Sequence, residues 1–231
     1  MTRLILFDID GTLVLTADAG RRALSRAFEE LFSVANALDG VAIAGRTDYW
    51  IVAKVAATHG LPCDVHTVER LRAAYLRYLP VEIEEPSPLK AVMPGVRSLL
   101  DALAKRDDAY LALLTGNFEE GARVKLEYFD LWRYFRCGAF GDDVPERNGL
   151  LSRALARVQA CGGPAVDPGD VVIVGDTPLD VAVALAGGTR SVAVATGGYD
   201  MKTLHASGAD VVLNDLSDGA AVLDAMGFER T

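Results

Sequence analysis

Apolar runs at residues 4–7, 111–114, 171–174, 192–195 and 211–213 recur along the chain, several of them β-branched and continuous rather than alternating. Continuous runs of that length suit strands covered on both faces, the condition of a parallel sheet. Residues 137–140 form a weaker run of the same kind. Helical stripes separate the runs. Val96, Leu99, Leu100 and Leu103 follow Pro94-Gly95; Leu151, Ala154, Leu155 and Val158 are closed by Gly162-Gly163; residues 181–186 end at Gly187-Gly188. This alternation predicts βαβ units and a doubly wound, Rossmann-like parallel sheet of the α/β class.

Residues 15 to 87 break the pattern, with helical periodicity and no strand signal. Leu24, Ala27, Phe28, Leu31 and Phe32 follow i, i+3, i+4, i+7, i+8, and so do Leu71, Ala74, Tyr75, Tyr78 and Leu79. Between them Thr47 is a candidate cap for a helix ending at Gly60. Pro80, Pro86, Pro88 and Pro94 punctuate the return to the βαβ pattern. The organisation expected is an α/β core over 1–14 and 88–231, with a helical cap domain over 15–87 inserted after the first strand.

With 231 residues, 51% of them apolar and 24% charged, the chain can bury a full core, which argues against disorder and coiled coil. A net charge of −9 argues against a nucleic-acid partner, since phosphate-backbone surfaces need clustered Lys and Arg. Cys63, Cys137 and Cys161 form no C-x-x-C pair, so neither a zinc ribbon nor a disulfide framework is expected. Asp8 interrupts the N-terminal apolar run after four residues, too early for a signal peptide. No membrane partner and a cytoplasmic location are the expectation. Nothing in the sequence bears on oligomeric state.

Ligands of an open parallel sheet bind beyond the carboxyl ends of its strands. The first run ends Asp8-Ile9-Asp10-Gly11-Thr12, the second Leu114-Thr115-Gly116-Asn117, and a later one Gly175-Asp176-Thr177-Pro178-Leu179-Asp180. If these strands are neighbours, Asp8, Asp10, Asp176 and Asp180 converge. Two carboxylates ~4 Å apart repel by about 4 kcal/mol at an effective dielectric near 20, so such a cluster calls for a cation. Oxygen-only ligands suit a hard ion, Mg2+ above Zn2+. A lone strand-end Asp reads more simply as a helix cap; two such motifs in one chain do not.

These three runs resemble motifs one, two and four of the haloacid-dehalogenase-like hydrolase superfamily. The insert is similar to that superfamily's C1-type cap, and the chain as a whole resembles its phosphoglycolate phosphatase-like branch. The resemblance implies a Mg2+-dependent phosphatase acting on a small phosphorylated metabolite through an aspartyl phosphate. Asp8 is then the nucleophile, and Asp10 the acid toward the leaving alcohol and base toward water. Mg2+ would sit on Asp8, the Asp10 carbonyl and Asp176, with Asp180 a ligand through water or an orienter behind them. The Thr115 hydroxyl and the Gly116 and Asn117 N–H groups would hold phosphate oxygens, and Gly11 and Thr12 would line the substrate site.

The third motif departs from the family, which supplies a Lys where this chain has Pro145-Glu146-Arg147-Asn148-Gly149-Leu150. Arg147 is the candidate cation, with a planar fork suited to phosphate. Lys125 is the fallback, in a setting that reads as a helix surface. In the cap, Arg46 has two readings left open: a contact to a second anionic group of the substrate, or part of a helix-start turn. Tyr75, Tyr78 and Trp50 read as cap core, Gly197-Gly198-Tyr199 as a plain turn in preference to a rim of the site, and Arg21-Arg22 as a solvated pair. The alternatives are a phosphomutase or a haloacid dehalogenase of the same superfamily and, from a different class, a phospho-acceptor or binding module without turnover. A dehalogenase needs neither the second acid nor the metal set. A receiver module needs no helical insert.

Overall fold

The computed structural model describes residues 2–142 and 144–228. In chain order β1 (Arg3–Phe7) leads through β2 (Val14–Thr16) to three helices, α1 (Ala19–Phe32), α2 (Asp48–His59) and α3 (Val65–Glu84). The chain returns through β3 (Lys90–Val92), α4 (Val96–Leu103), β4 (Ala109–Leu114), α5 (Glu119–Tyr128) and β5 (Gly138–Ala139). It closes with α6 (Leu150–Ala160), β6 (Val171–Gly175), α7 (Pro178–Gly187), β7 (Arg190–Val194), α8 (Met201–Ala206), β8 (Val211–Leu213) and α9 (Gly219–Ala225).

Six strands pair in parallel in the order β5-β4-β1-β6-β7-β8. Alternate residues of each strand go to opposite faces. Ile5, Phe7, Leu113 and Val174 join α4, α5 and α9, while Leu4, Leu6, Leu114 and Ile173 join α6 and α7. Helices on both faces explain why these strands carry no polar alternation. The expected doubly wound α/β sheet with an inserted helical cap is therefore the fold. β1 lies between β4 and β6, where chain connections leave in opposite directions, so its carboxyl end opens on the topological switch point.

The inserted helices have a core of their own, in which Ala23, Ala27 and Phe28 of α1 meet Leu71, Ala74 and Leu79 of α3. Thr47 does cap α2, accepting from the Trp50 N–H at 3.1 Å, and Gly60 closes that helix at φ 64°. Two details differ from the sequence reading. Val14–Thr16 and Lys90–Val92 form an antiparallel ribbon at the two crossings between sheet and helices, although no strand signal was read over 15–87 and no apolar run at 90–92. Three-residue strands are too short to display a period. Pro80 also does not end its helix: α3 runs through it to Glu84. A proline there forfeits one helical hydrogen bond. The turn beyond it is held to α1, because Glu82 accepts from Arg22 Nε at 2.7 Å and Arg26 Nη1 at 2.9 Å.

Candidate active site

Strand register sets the site. Phe7 pairs with both Leu113 and Val174, so the residues that follow, Asp8, the Leu114-Thr115 step and Gly175-Asp176, emerge at one level. Asp8 donates its N–H to the Val174 carbonyl at 2.9 Å, which keeps its side chain at that edge. The chain then turns through Gly11 at φ +83°, a conformation glycine adopts without strain. A Cβ on Gly11 would lie 2.5 Å from Asp176 Oδ2, and one on Gly197 would lie 1.7 Å from it. Two glycines thus make room for the Asp176 carboxylate, whose Oδ1 accepts from Thr12 Oγ1 at 3.1 Å. Gly197 is more than the plain turn expected of it.

Asp180 is the third residue of α7. It closes a capping box with Thr177, whose hydroxyl donates to Asp180 Oδ2 at 2.7 Å. Ligand oxygens of Asp8, Asp176 and Asp180 all lie within 4.8 Å of one another, and all three residues are buried. Arg147, buried as well, reaches Asp8 Oδ1 with Nη2 at 2.9 Å and also donates to Asp180. Burial raises the Asp8 carboxyl to about 6; Arg147 opposes that rise, and Asp180 and Asp10 add to it. Burial, reinforced by Asp8 and Asp180, also holds Asp176 well above the usual carboxylate range. For Arg147, Asp180 and Asp8 more than offset the burial that would lower it, so it stays charged. Three converging carboxylates against one guanidinium leave an excess of negative charge among oxygen donors, a set that fits a hard divalent cation such as Mg2+.

Asp10 lies apart from that trio. Its Oδ2 accepts from Lys125 Nζ at 2.6 Å and Asn117 Nδ2 at 2.9 Å. Lys125 also donates to Asn117 Oδ1 at 2.6 Å, and Asn117 Nδ2 reaches Thr115 Oγ1 at 2.8 Å. The reading of Lys125 as a helix-surface residue is corrected: its side chain is 6% exposed. The buried face of α5 comprises Gly121, Ala122, Lys125 and Leu126, an i, i+4 pattern that was available in the sequence.

The inserted helices close over these groups. A Cβ on Gly116 would meet the Arg46 carbonyl at 2.1 Å, so the loop before α2 lies directly on the end of β4. Asp48 N–H donates to the Gly116 carbonyl at 2.7 Å, Asp48 Oδ2 accepts from the Phe118 N–H at 2.8 Å, and Thr47 Oγ1 donates to the Val144 carbonyl at 2.7 Å. A cavity of about 420 Å3, partly open to solvent, lies between, lined by Asp8, Asp10, Arg147 and Asp176 below and by Arg21, Arg46 and Tyr75 above. Arg46 stacks 4.5 Å above the Trp50 ring, with no ion pair among the described residues. Arg21 lines the same cavity and Arg22 pairs with Glu82, so the two are not the solvated pair expected.

Asp48 offers a test of this packing. Burial pushes its carboxyl from the ordinary 3.8 to about 6, with Lys125 and the Phe118 N–H opposing. Between those values the folded chain binds more protons at this site than the unfolded one, so stability falls as pH rises through that window. Asp48→Asn keeps an acceptor for Phe118 without the charge. Its melting temperature is expected to match the parent below pH 4. Above pH 6 it should gain about 1–2 kcal/mol, roughly half of the ~3 kcal/mol that the full shift is worth, because cavity water screens the carboxylate.

Residues 2–188 match the family model described as haloacid dehalogenase-like hydrolase. The whole chain aligns at 30% identity with 93% of the phosphoglycolate phosphatase of Rhodospirillum rubrum. At 27% identity, 94% of the chain aligns with 78% of the phosphoglycolate phosphatase of Pseudomonas putida. Among solved structures, CbbY from Rhodobacter sphaeroides in complex with phosphate superposes with a TM-score of 0.70 at 23% identity, over 94% of this chain and 96% of that one. The β-phosphoglucomutase of Clostridium difficile gives 0.72 at 14% identity over 98% of both chains.

Proposed function

The chain belongs to the haloacid dehalogenase-like hydrolases, and on that footing we propose that it hydrolyses a small phosphorylated metabolite through a phosphorylated Asp8, with Mg2+ as cofactor. The observation that carries this reading is the meeting of Asp8, Asp176 and Asp180 beside Arg147, with Asp10 free of that trio and facing the cavity.

Asp8 attacks the phosphorus with a carboxylate oxygen and the ester P–O bond breaks, while Asp10 delivers a proton to the leaving alkoxide. Water then attacks the phosphorus of the aspartyl phosphate while Asp10 takes a proton from it, the bond between phosphorus and the Asp8 carboxylate oxygen breaks, and inorganic phosphate leaves. Arg147 fixes the orientation of Asp8, and its fork is suited to an equatorial phosphoryl oxygen. Lys125 and Asn117 hold the Asp10 carboxylate in place, and Thr115 with the Gly116 and Asn117 N–H groups forms the phosphate cradle. Asp8, Asp176 and the Asp10 carbonyl would hold Mg2+, with Asp180 behind them. The ion, when bound, offsets negative charge so that a carboxylate can approach an anionic ester. The helical part, taken as 15–87, acts as the lid that excludes water, and Arg46 takes a second anionic group of the substrate.

Two readouts test this. Phosphoglycolate, p-nitrophenyl phosphate and hexose phosphates are assayed with Mg2+ and with EDTA; inorganic phosphate should appear only with the metal. Release of phosphate, rather than its transfer to a second site on a sugar, separates a phosphatase from a phosphomutase. Mg2+ should also raise the melting temperature at neutral pH, because it binds carboxylates gathered only in the folded state. Undiminished turnover in EDTA, together with an unmoved melting temperature, would refute the metal assignment.

A further inference from the structure

Tyr75 is 3% exposed as a residue; its hydroxyl makes no hydrogen bond among the described residues and is not itself sealed from the cavity. The ring packs edge-on against Phe118 with centroids 6.0 Å apart, and it lies over Gly121, where a Cβ would come within 2.9 Å of it. The side chain is therefore held by its apolar faces, and its polar end is delivered to the cavity. A tyrosine hydroxyl that ends an otherwise buried ring at a cavity wall is placed to bond a polar group that enters the cavity.

Gly20 shows where that partner would sit. It is the second residue of α1, a position where alanine is the better helix former. A methyl built on Gly20 would lie 3.3 Å from Lys125 Nζ and 3.6 Å from Tyr75 Oη. Both groups thus face one small space that glycine leaves open. Lys125 has three N–H donors, of which Asp10 and Asn117 use two. The third is available to the same space.

We propose that the space over Gly20 is a subsite for a substrate hydroxyl close to the scissile ester, with Tyr75 the residue that selects it. The subsite sits beside Asp10, which places it next to the leaving oxygen; this inference rests on the phosphatase reading above. A hydroxyl both accepts and donates, and the surroundings supply both functions. Tyr75 and Lys125 donate; Asp48, which lines the same cavity and whose Oδ1 has no hydrogen-bond partner among the described residues, accepts. A carboxylate in the same place would meet Asp10 and Asp48, and the nearest cation, Lys125, is already bonded to Asp10. The substrate class implied is a polyol or sugar phosphate.

The test uses the intact chain and three esters of matched size: 2-hydroxyethyl phosphate, ethyl phosphate and phosphoglycolate. The parent protein should favour the hydroxylated ester over ethyl phosphate in kcat/KM by at least about tenfold. Tyr75→Phe, which keeps the ring on Phe118, should reduce that ratio about tenfold, the size of one lost hydrogen bond. Gly20→Ala, which fills the space with a methyl, should reduce it likewise. A parent that does not distinguish the two esters, or variants whose ratio stays within about twofold of the parent, overturns the subsite. A Tyr75-dependent preference for phosphoglycolate instead overturns the hydroxyl assignment. If none of the esters is hydrolysed, the phosphatase reading fails; the same ratios are then read as dissociation constants by calorimetry, which still decides the subsite.

Discussion

Asp8→Asn should lower kcat on any small phosphoester by at least about a thousandfold, the scale on which removal of a covalent nucleophile is felt. The amide matches the carboxylate in shape, so the end of β1 keeps its geometry and Arg147 keeps an oxygen to donate to. It also removes one of three carboxylates whose oxygens lie within 4.8 Å of one another. Repulsion in the metal-free protein is thereby relieved, and the melting temperature should hold or rise while turnover collapses. That opposite movement separates loss of chemistry from loss of fold. Normal turnover in this variant would remove Asp8 from the nucleophile's role.

Arg147→Ala should damage both properties. The side chain is 4% exposed and is the cation between Asp8, at 2.9 Å, and Asp180. Its removal strands two buried carboxylates, a change worth about 3 kcal/mol or more of stability by equilibrium denaturation. Added Mg2+ should recover part of that loss, because the ion neutralises the same oxygens. Turnover should fall further than in Lys125→Ala, since Arg147 touches the nucleophile and Lys125 touches Asp10 and Asn117. Arg147→Lys should restore stability better than turnover, because an ammonium supplies the charge without the fork. A reversed ranking of the two alanine variants would make Lys125 the phosphate-anchoring cation.

Much of this arrangement is legible in the amino-acid sequence, and what is not has physical causes. Continuous β-branched runs identify buried parallel strands because only a sheet covered on both faces hides every residue; Val171–Gly175 is buried throughout. Acids at the ends of two such runs point to a shared site because neighbouring parallel strands end together. What escapes is whatever depends on packing between distant segments. The ribbon of Val14–Thr16 and Lys90–Val92 is too short for periodicity and exists only because the chain crosses the same place twice. Pro80 ordinarily breaks a helix, and the ion pairs that hold Glu82 to α1 come from more than fifty residues away. Lys125 shares an i, i+4 face with Gly121, but it sits in a charged stretch, Arg123 to Glu127, and its partners Asp10 and Asn117 and the covering Gly20 and Tyr75 come from elsewhere in the chain. Tyr75 has the spacing of a core residue and is one along its ring; its hydroxyl end is what the spacing cannot show.

In the proposed reaction one oxygen of Asp8 bonds to phosphorus beside a bound cation. Acid quench of the parent protein within its first turnover, followed by peptide mass spectrometry, reads this directly. With Mg2+ present, one phosphoryl group should be found on the peptide carrying Asp8, and with EDTA none. Turnover that leaves every peptide unmodified, or a phosphoryl group on another residue, would contradict it.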